Sequence, residues 1–160
     1  MPAPRPTTDM AIPVAAFFRR RPGERPMHRE IYVNLPVTDL AASMAFFEAM
    51  GYTFNAEFTN EQAACLQLGP RLYAMLLTRP FFEGFSDRPV GDPRAQVQAL
   101  VCLSCDSREE VDALVAKARA AGAGVPRAPV DHGFMYFHGF TDLDGHVWEL
   151  AHMPGEAPAA

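Results

Sequence analysis

The stretch Phe134–Met153, FMYFHGFTDLDGHVWELAHM, predicts a β-hairpin near the end of the chain. Two runs rich in aromatic and branched residues flank Asp142-Leu143-Asp144-Gly145. The glycine suits the left-handed position that closes a type I turn with a bulge, and the two aspartates are typical turn formers. Just past the turn, Glu149 lies among apolar neighbours. An ionised side chain in such a strand needs a partner or a function, so Glu149 is the first candidate for a functional residue.

The length of the hairpin loop decides which residues share a face with Glu149. A three-residue loop with a glycine bulge pairs Gly139 with Glu149 and sends His138 to the other face. A four-residue loop pairs His138 directly with Glu149, and this alternative stays open. The turn residues favour the first register. In that register Met135 and Phe137 share the face of Glu149, and the opposite face packs under a helix and carries Phe134, Tyr136, Phe140 and Trp148.

The hairpin closes a pattern of elements that occurs twice in the chain. Its second copy has a strand at 96–105, a helix opened by the capping box Ser107–Glu110 and ended by Gly122, a short strand at 124–126 and the hairpin. The first copy has a strand at 30–37, a helix capped by Thr38 or Asp39 and ended by Gly51, and strands at 52–58, 63–68 and 72–78.

The repeat predicts the α+β class, with two βαβββ modules forming one curved eight-stranded mixed sheet and the helices on the outside. We expect a Pro/Arg-rich N-terminal arm at 1–29 with a short helix at Ala11–Phe18, a single domain at 30–153 and a tail at 154–160. Module one spans 30–79, a connector 80–95 and module two 96–153. The aromatic connector either buries a seam between the modules or caps a ligand pocket.

Composition excludes several classes of function. A net charge of −5 argues against a nucleic-acid partner. No apolar run approaches the roughly 20 residues that span a bilayer, so no membrane partner is expected. Three cysteines do not make a disulfide framework, which predicts a reducing compartment and a cytoplasmic protein. Cys102 and Cys105 lie three apart on a strand, so their side chains face opposite sides and form no redox pair.

The doubled unit, together with DLDGHVWE on the last strand, resembles the vicinal oxygen chelate superfamily, which includes glyoxalase I, bleomycin- and fosfomycin-resistance proteins and extradiol dioxygenases. The segments VNLPVTDLAASMAFFEAMGYTF and SREEVDALV resemble bacterial glyoxalase-like proteins of unassigned function. The resemblance covers residues 30–153. It implies a concave ligand site and, in the enzymes of the superfamily, a divalent metal ion. It does not imply one activity, since a fold hosts many.

The resemblance implies metal ligands at four positions, and only one position keeps a ligand. Tyr32 stands where His or Gln is expected, Leu76 lies near an expected Glu, and Leu100 near an expected His. Glu149 matches the last Glu. Divalent ions need three or more N, O or S donors, so no metal and no other cofactor is expected, with a divalent metal as the alternative. His132, in the loop before the hairpin, either stabilises its turn, which we favour, or reaches the rim of the pocket.

We therefore expect a protein that binds a small, partly apolar molecule in the concavity. The predicted ligand-binding residues are Tyr32, Asn34, Thr78, Cys102, Met135, Phe137 and Glu149. Glu149 is then either hydrogen-bonded by Tyr32 and Asn34 or the one charged anchor of an apolar cavity. The alternatives are a metal-dependent lyase, isomerase or dioxygenase of glyoxalase type, and a structural or regulatory dimer with a vestigial pocket. Exposed sheet edges predict a homodimer.

Overall fold

The computed structural model describes residues 27–154, within which His28–Pro154 form one compact unit. Its elements are β1 (Ile31–Val37), α1 (Leu40–Ala49), β2 (Thr53–Asn55), β3 (Ala63–Gly69), β4 (Leu72–Thr78), α2 (Arg79–Glu83), β5 (Leu100–Ser104), α3 (Arg108–Ala120), β6 (Val130–Asp131), β7 (Tyr136–Thr141) and β8 (Val147–His152). The predicted α+β class and the doubled βαβββ order are confirmed. No helix in this range is both long and apolar enough to cross a bilayer.

The eight strands form two four-stranded sheets instead of the single sheet that the repeat predicted. The strand orders are β1-β4-β3-β2 and β5-β8-β7-β6, so the two modules share one topology. Within residues 27–154 no ladder of hydrogen bonds joins β1 to β5, the edge strands that a continuous sheet would pair. The imidazole of His146 instead links the modules there, because its Nε2 lies 2.7 Å from the carbonyl oxygen of Pro36.

The helices α1 and α3 contact each other beside a core that both modules share. The Phe47 ring packs against Trp148 at 5.2 Å, and Phe46 against Phe140 at 6.1 Å. The physical reason is that α1 is apolar around much of its circumference, so that it covers its own sheet and also contacts module two. We call the sheet face that points away from this core the open face of each sheet.

The ends of the helices follow the predicted signals. Asp39 caps α1 by accepting a hydrogen bond from the Ala42 backbone N–H at 2.9 Å, and Ser107 caps α3 by accepting from Glu110 at 3.0 Å. Gly51 and Gly122 adopt φ angles of +100° and +105° just past the two helices. These caps fix where each helix enters the core.

Several predicted boundaries were wrong. The strand expected at 52–58 ends at Asn55, because the Asn55 side chain accepts from the Glu57 N–H at 3.0 Å and starts a 3-10 turn at Ala56–Phe58. The strand expected at 96–105 is shorter, since 96–99 belong to the connector. The strand expected at 124–126 is only a bridge between Gly124 and Thr141. The expected helix at 11–18 lies outside the described residues, as does nearly all of the expected arm.

Candidate ligand-binding site

The hairpin adopts the register with the glycine bulge, which places Glu149 at the centre of the open face of the second sheet. Glu149 lies opposite Gly139 on β7 and opposite Cys102 on β5. Gly145 has a φ of +93°, and the Asp142 N–H donates to the His146 carbonyl oxygen at 3.0 Å to close the turn. The register prediction is confirmed.

His138 lies on the core side of the hairpin and not beside Glu149. It pairs with Leu150 and is 9% exposed. Its Nε2 lies 3.0 Å from the Arg127 carbonyl oxygen, and because a carbonyl only accepts, Nε2 is the donor. The buried Nδ1 has no partner among residues 27–154. A structural role therefore replaces the alternative that placed His138 in the pocket.

The open face of the second sheet is a partly exposed apolar surface around one carboxylate. Within residues 27–154 the Glu149 carboxylate accepts no hydrogen bond. A Cβ at Gly139 would lie 2.8 Å from the Trp148 carbonyl oxygen and 3.8 Å from Glu149 Cγ, so only glycine leaves this space free. The residues on this face are Leu100, Cys102, Ser104, Phe137, Gly139, Thr141, Val147, Glu149 and Ala151.

An aromatic stack borders this face. The His132 ring lies between Phe134 and Phe137, with ring centroids 6.0 and 5.7 Å apart and planes inclined by 24° and 21°. Phe134 was expected under a helix, but it precedes β7 and is 60% exposed. Phe137 belongs to the open face, so His132 extends the aromatic surface beside Glu149. Sequence reasoning favoured a role for His132 in its turn over a position at the pocket rim, and it did not predict this contact with the two phenylalanine rings.

The loop that carries the stack is fixed to α3. The Gly133 N–H donates to the Asp131 carboxylate at 2.8 Å, and Arg108 forms a bidentate ion pair with the same group. These two contacts lower the pKa of Asp131. On the helix side, the Tyr136 hydroxyl donates to Asp112 at 2.6 Å, which raises the pKa of Tyr136 to about 12. The stack therefore has a fixed position.

The two cysteines of module two point to opposite faces, as predicted. Cys102 is exposed on the open face, and partial desolvation of its thiol by the neighbouring side chains, together with the charge of Glu149, raises its pKa. Cys105 is half-buried, and its carbonyl oxygen accepts from His152 Nδ1 at 3.0 Å. A raised pKa leaves less thiolate, so these surroundings do not activate Cys102 as a nucleophile.

The predicted residues of the first sheet do not join Glu149 within one chain. The Tyr32 hydroxyl donates to Glu30 at 2.8 Å, and its ring stacks on Tyr73 at 4.8 Å. Asn34 also lies on the open face of the first sheet. Hydrogen bonds from both residues to Glu149, one of the two alternatives, are absent from the described part of the chain, because the shared core separates the two open faces.

Thr78 was placed on the wrong face. It pairs with Val37, and Leu76 pairs with Leu35, whose side chains belong to the core. Because side chains alternate along a strand, Thr78 and Leu76 lie on the helix side of β4. The open-face neighbours on β4 are Met75 and Leu77, so neither the expected binding contact nor a metal ligand arises there.

The donor set does not fit a divalent metal ion. Of the four implied positions, Leu76 is fully buried in the core, Leu100 is 56% exposed and Tyr32 donates to Glu30, which leaves Glu149 alone. No group of three or more His, Cys, Asp or Glu side chains within residues 27–154 is arranged to hold a metal. One carboxylate does not supply the donors that Zn²⁺ or a similar ion requires.

The connector borders two cavities. Its α2 part packs on the open face of the first sheet, above a cavity of about 490 Å³ lined by Phe81, Phe82 and Phe85. Its later part lies over a second cavity of about 380 Å³ between β1 and the strands β5 and β8, which we call the seam cavity. Sequence reasoning missed this cavity because most of its wall is irregular backbone without periodicity.

Two arginines attach the connector to the rest of the molecule. Arg79 donates to the carbonyl oxygens of Val90 and Gly91, at 2.5 and 3.3 Å. Arg94 donates to the Leu143 carbonyl oxygen at 2.9 Å, and its guanidinium lies 3.8 Å from Asp144. The seam cavity is therefore built into the fold.

The aspartates of the hairpin turn are buried structural groups. Asp142 accepts from the N–H groups of Asp144 and His146 and from Trp148 Nε1, each at 3.0 Å, and burial raises its pKa. Asp144 is 4% exposed and accepts from the Thr38 N–H at 2.8 Å and from Ser43 Oγ at 3.4 Å. Asp144 thus links module two to the start of α1, which turn chemistry alone did not predict.

Comparison with known proteins supports the superfamily. The family model described as Bleomycin resistance protein-like N-terminal matches residues 29–69. A hypothetical protein from S. aureus is 28% identical with a TM-score of 0.68, and the match covers 79% of this chain and 95% of that one. No curated protein sequence gives a significant match.

Two further solved structures share the fold at lower identity. A glyoxalase-related enzyme from Fulvimarina pelagi is 22% identical with a TM-score of 0.68, and the match covers 80% of this chain and 90% of that one. A lactoylglutathione lyase from Agrobacterium tumefaciens is 22% identical with a TM-score of 0.59, over 81% and 96% of the chains. The resemblance of this chain to the glyoxalase, bleomycin resistance and dioxygenase proteins of the vicinal oxygen chelate superfamily is therefore confirmed.

Proposed function

We propose that this protein binds a small, partly apolar molecule on the open face of the second sheet, with Glu149 as the single charged anchor. The observation that carries the proposal is the Glu149 carboxylate itself, which accepts no hydrogen bond within the described residues and lies beside the space left by Gly139. A half-buried carboxylate in apolar surroundings gains most from a donor or a cation. The ligand therefore carries such a group.

The neighbours of Glu149 favour a ligand with a flat or aliphatic body. Phe137 lies diagonally across the hairpin from Glu149, and His132 and Phe134 extend its aromatic surface. Met135 precedes β7 and is half-buried, and its flexible thioether adapts to varied shapes. A flat cation would gain both stacking and charge contacts here.

A homodimer would complete this site. Leu100 is 56% exposed and Val130 36% exposed on the same sheet, and a second copy that covers this face would bury both side chains. A second copy that covers this face with its first sheet would bring Tyr32 and Asn34 towards Glu149. The reducing cytoplasm suits the three free cysteines. Light scattering at micromolar concentration tests the dimer, and a monomer would contradict it.

The substitution Glu149→Gln tests the anchor, because it keeps the shape of the side chain and removes its charge. A thermal-shift screen of matched cationic and neutral aromatic compounds should show cation-dependent stabilisation of the wild type. Glu149→Gln should lose this stabilisation and keep any response to neutral compounds. Glu48→Gln, which alters an exposed residue of α1, is the control and should behave like the wild type. Equal stabilisation of both proteins by cations would exclude the anchor.

Metal content tests the alternative, a metal-dependent enzyme of glyoxalase type. Because Tyr32, Leu76 and Leu100 stand at the implied ligand positions, we expect elemental analysis to find far less than one equivalent of transition metal after purification without chelator. Near-stoichiometric zinc, nickel, iron or manganese that is lost in Glu149→Ala would contradict this expectation and support the enzyme.

A further inference from the structure

The seam cavity has a mostly apolar wall with a few polar side chains. Its inner part is apolar and includes Val33, Leu35 and Val101, of which Leu35 is 7% exposed. The exposed side chains at its mouth include Arg88 and Gln98. With a volume of about 380 Å³, the cavity lies within the usual range for small-molecule pockets, roughly 300–1,000 Å³.

The charge at the mouth is positive only. Arg88 is the one permanently charged side chain among the described residues that line the cavity, and no carboxylate lines it. Within residues 27–154 the Arg88 guanidinium forms no ion pair and donates no side-chain hydrogen bond. The side-chain amides of Asn34, Gln96 and Gln98 also line the cavity and add neutral N–H donors.

From this arrangement we infer that the seam cavity is a second ligand site, which takes a small amphiphilic acid with its apolar body inside and its carboxylate at Arg88. A guanidinium binds a carboxylate through two parallel hydrogen bonds, a geometry that an ammonium or a hydroxyl group does not offer. The net charge of the chain is −5, so its overall field repels anions, and an anion preference would have to come from the cavity.

This site differs from the one proposed around Glu149, although Val147 borders both and Asn34 lines the seam cavity as well. Glu149 and Cys102 do not line the seam cavity, and none of the open-face aromatic residues of the second sheet does. The two sites also present opposite charges to a ligand, since one has a carboxylate and the other a guanidinium. The inference therefore goes beyond the proposed function, and either can fail alone.

A series of ligands with one tail and three head groups tests the inference. Octanoate, 1-octanol and octylammonium share an eight-carbon chain and differ in charge. Calorimetric titration at low salt should give a dissociation constant for octanoate at least about tenfold below that for 1-octanol, with octylammonium the weakest. Backbone amide chemical shifts should change at residues 88–101 and along β1.

Arg88→Gln should weaken octanoate about tenfold, to the level of 1-octanol, and leave 1-octanol unchanged. Arg119→Gln, on the exposed side of α3, is the matched control and should keep the wild-type affinities. Ala99→Phe should fill the cavity and weaken all three ligands. If this variant does not fold, Arg88→Gln still decides the question.

Three results would overturn the inference. The first is that octanoate does not bind, and the second is that octanoate and octylammonium bind equally well. The third is that Arg88→Gln binds octanoate as tightly as the wild type. Shift changes confined to the face around Glu149 would assign the binding to the other site and also contradict it. Glu149→Gln should not change octanoate affinity, so a failure of the proposed function stays distinguishable from a failure here.

Discussion

The buried carboxylate of Asp144 joins the two modules, and its removal should lower the stability of the protein. Its carboxylate lies in the hairpin turn of module two, is 4% exposed and accepts from the Thr38 N–H at 2.8 Å, immediately before α1. Asp144→Ala removes this acceptor and leaves the N–H without a partner. It also removes the weaker contact to Ser43 Oγ at 3.4 Å.

The size of the effect follows from these contacts. A hydrogen bond to a charged group contributes about 1.5–3 kcal/mol, and the long contact to Ser43 adds about 0.5 kcal/mol. The contact to Arg94 at 3.8 Å adds almost nothing, because that side chain is 55% exposed. We therefore expect Asp144→Ala to lower the free energy of unfolding by about 2–3.5 kcal/mol. Asp144→Asn keeps an oxygen acceptor for Thr38 and should cost about half as much.

Urea unfolding followed by circular dichroism measures these differences at constant m-value. Glu48→Ala, on the exposed side of α1, is the control and should change the free energy of unfolding by less than about 0.5 kcal/mol. A loss below about 0.5 kcal/mol in Asp144→Ala would refute the reasoning, because a surface carboxylate behaves that way. So would equal and small losses in the Ala and Asn variants.

Two further predictions concern the open face of the second sheet. Gly139→Ala should lower the free energy of unfolding by about 1–3 kcal/mol, because its Cβ would lie 2.8 Å from the Trp148 carbonyl oxygen. Gly69→Ala, whose Cβ meets only Leu72 at 3.4 Å, should cost less in the same urea assay, and equal costs would contradict the register. Cys102 should be the first thiol alkylated by iodoacetamide at pH 8, since Cys65 is buried and the pKa of Cys105 is raised to about 11. Because the pKa of Cys102 is raised, its alkylation rate should increase with pH up to and beyond 9. Glu149→Gln removes the nearby negative charge and should lower the pKa of Cys102. Alkylation at pH 8 should then be about two- to fivefold faster, an effect of roughly 0.4–1 kcal/mol. An unchanged rate in Glu149→Gln would show that the two side chains do not interact.

Local chemistry in the sequence was sufficient for the hairpin register and for the helix ends. The Asp-Leu-Asp-Gly turn determined the register, which put Gly139 opposite Glu149 and His138 in the core. Capping residues determined the helix starts. These features depend on neighbours within a few residues, so they can be read from a single chain.

Long-range packing was not readable in the same way. Strand periodicity identifies two faces but does not say what covers each, so one continuous sheet and two sheets produce the same pattern. The composition of α1, apolar on more than one side, was the available signal for a helix between modules. The wrong placements of Leu76 and Thr78 have a single cause. The two residues are two positions apart on β4 and therefore lie on the same face, which is the core side and not the open face.

The contact between Asp144 and Thr38 spans 106 residues, and this separation affects how the chain folds. Closing a loop of this length costs conformational entropy, which must be lost before the hydrogen bond can form. We therefore expect the start of α1 to acquire its distant acceptor after β7 and β8 have paired. On the ribosome, module one emerges before Asp144 has been synthesised, so water takes the place of the Asp144 carboxylate at the Thr38 N–H. Full stability of module one is therefore reached only after the second module has been translated.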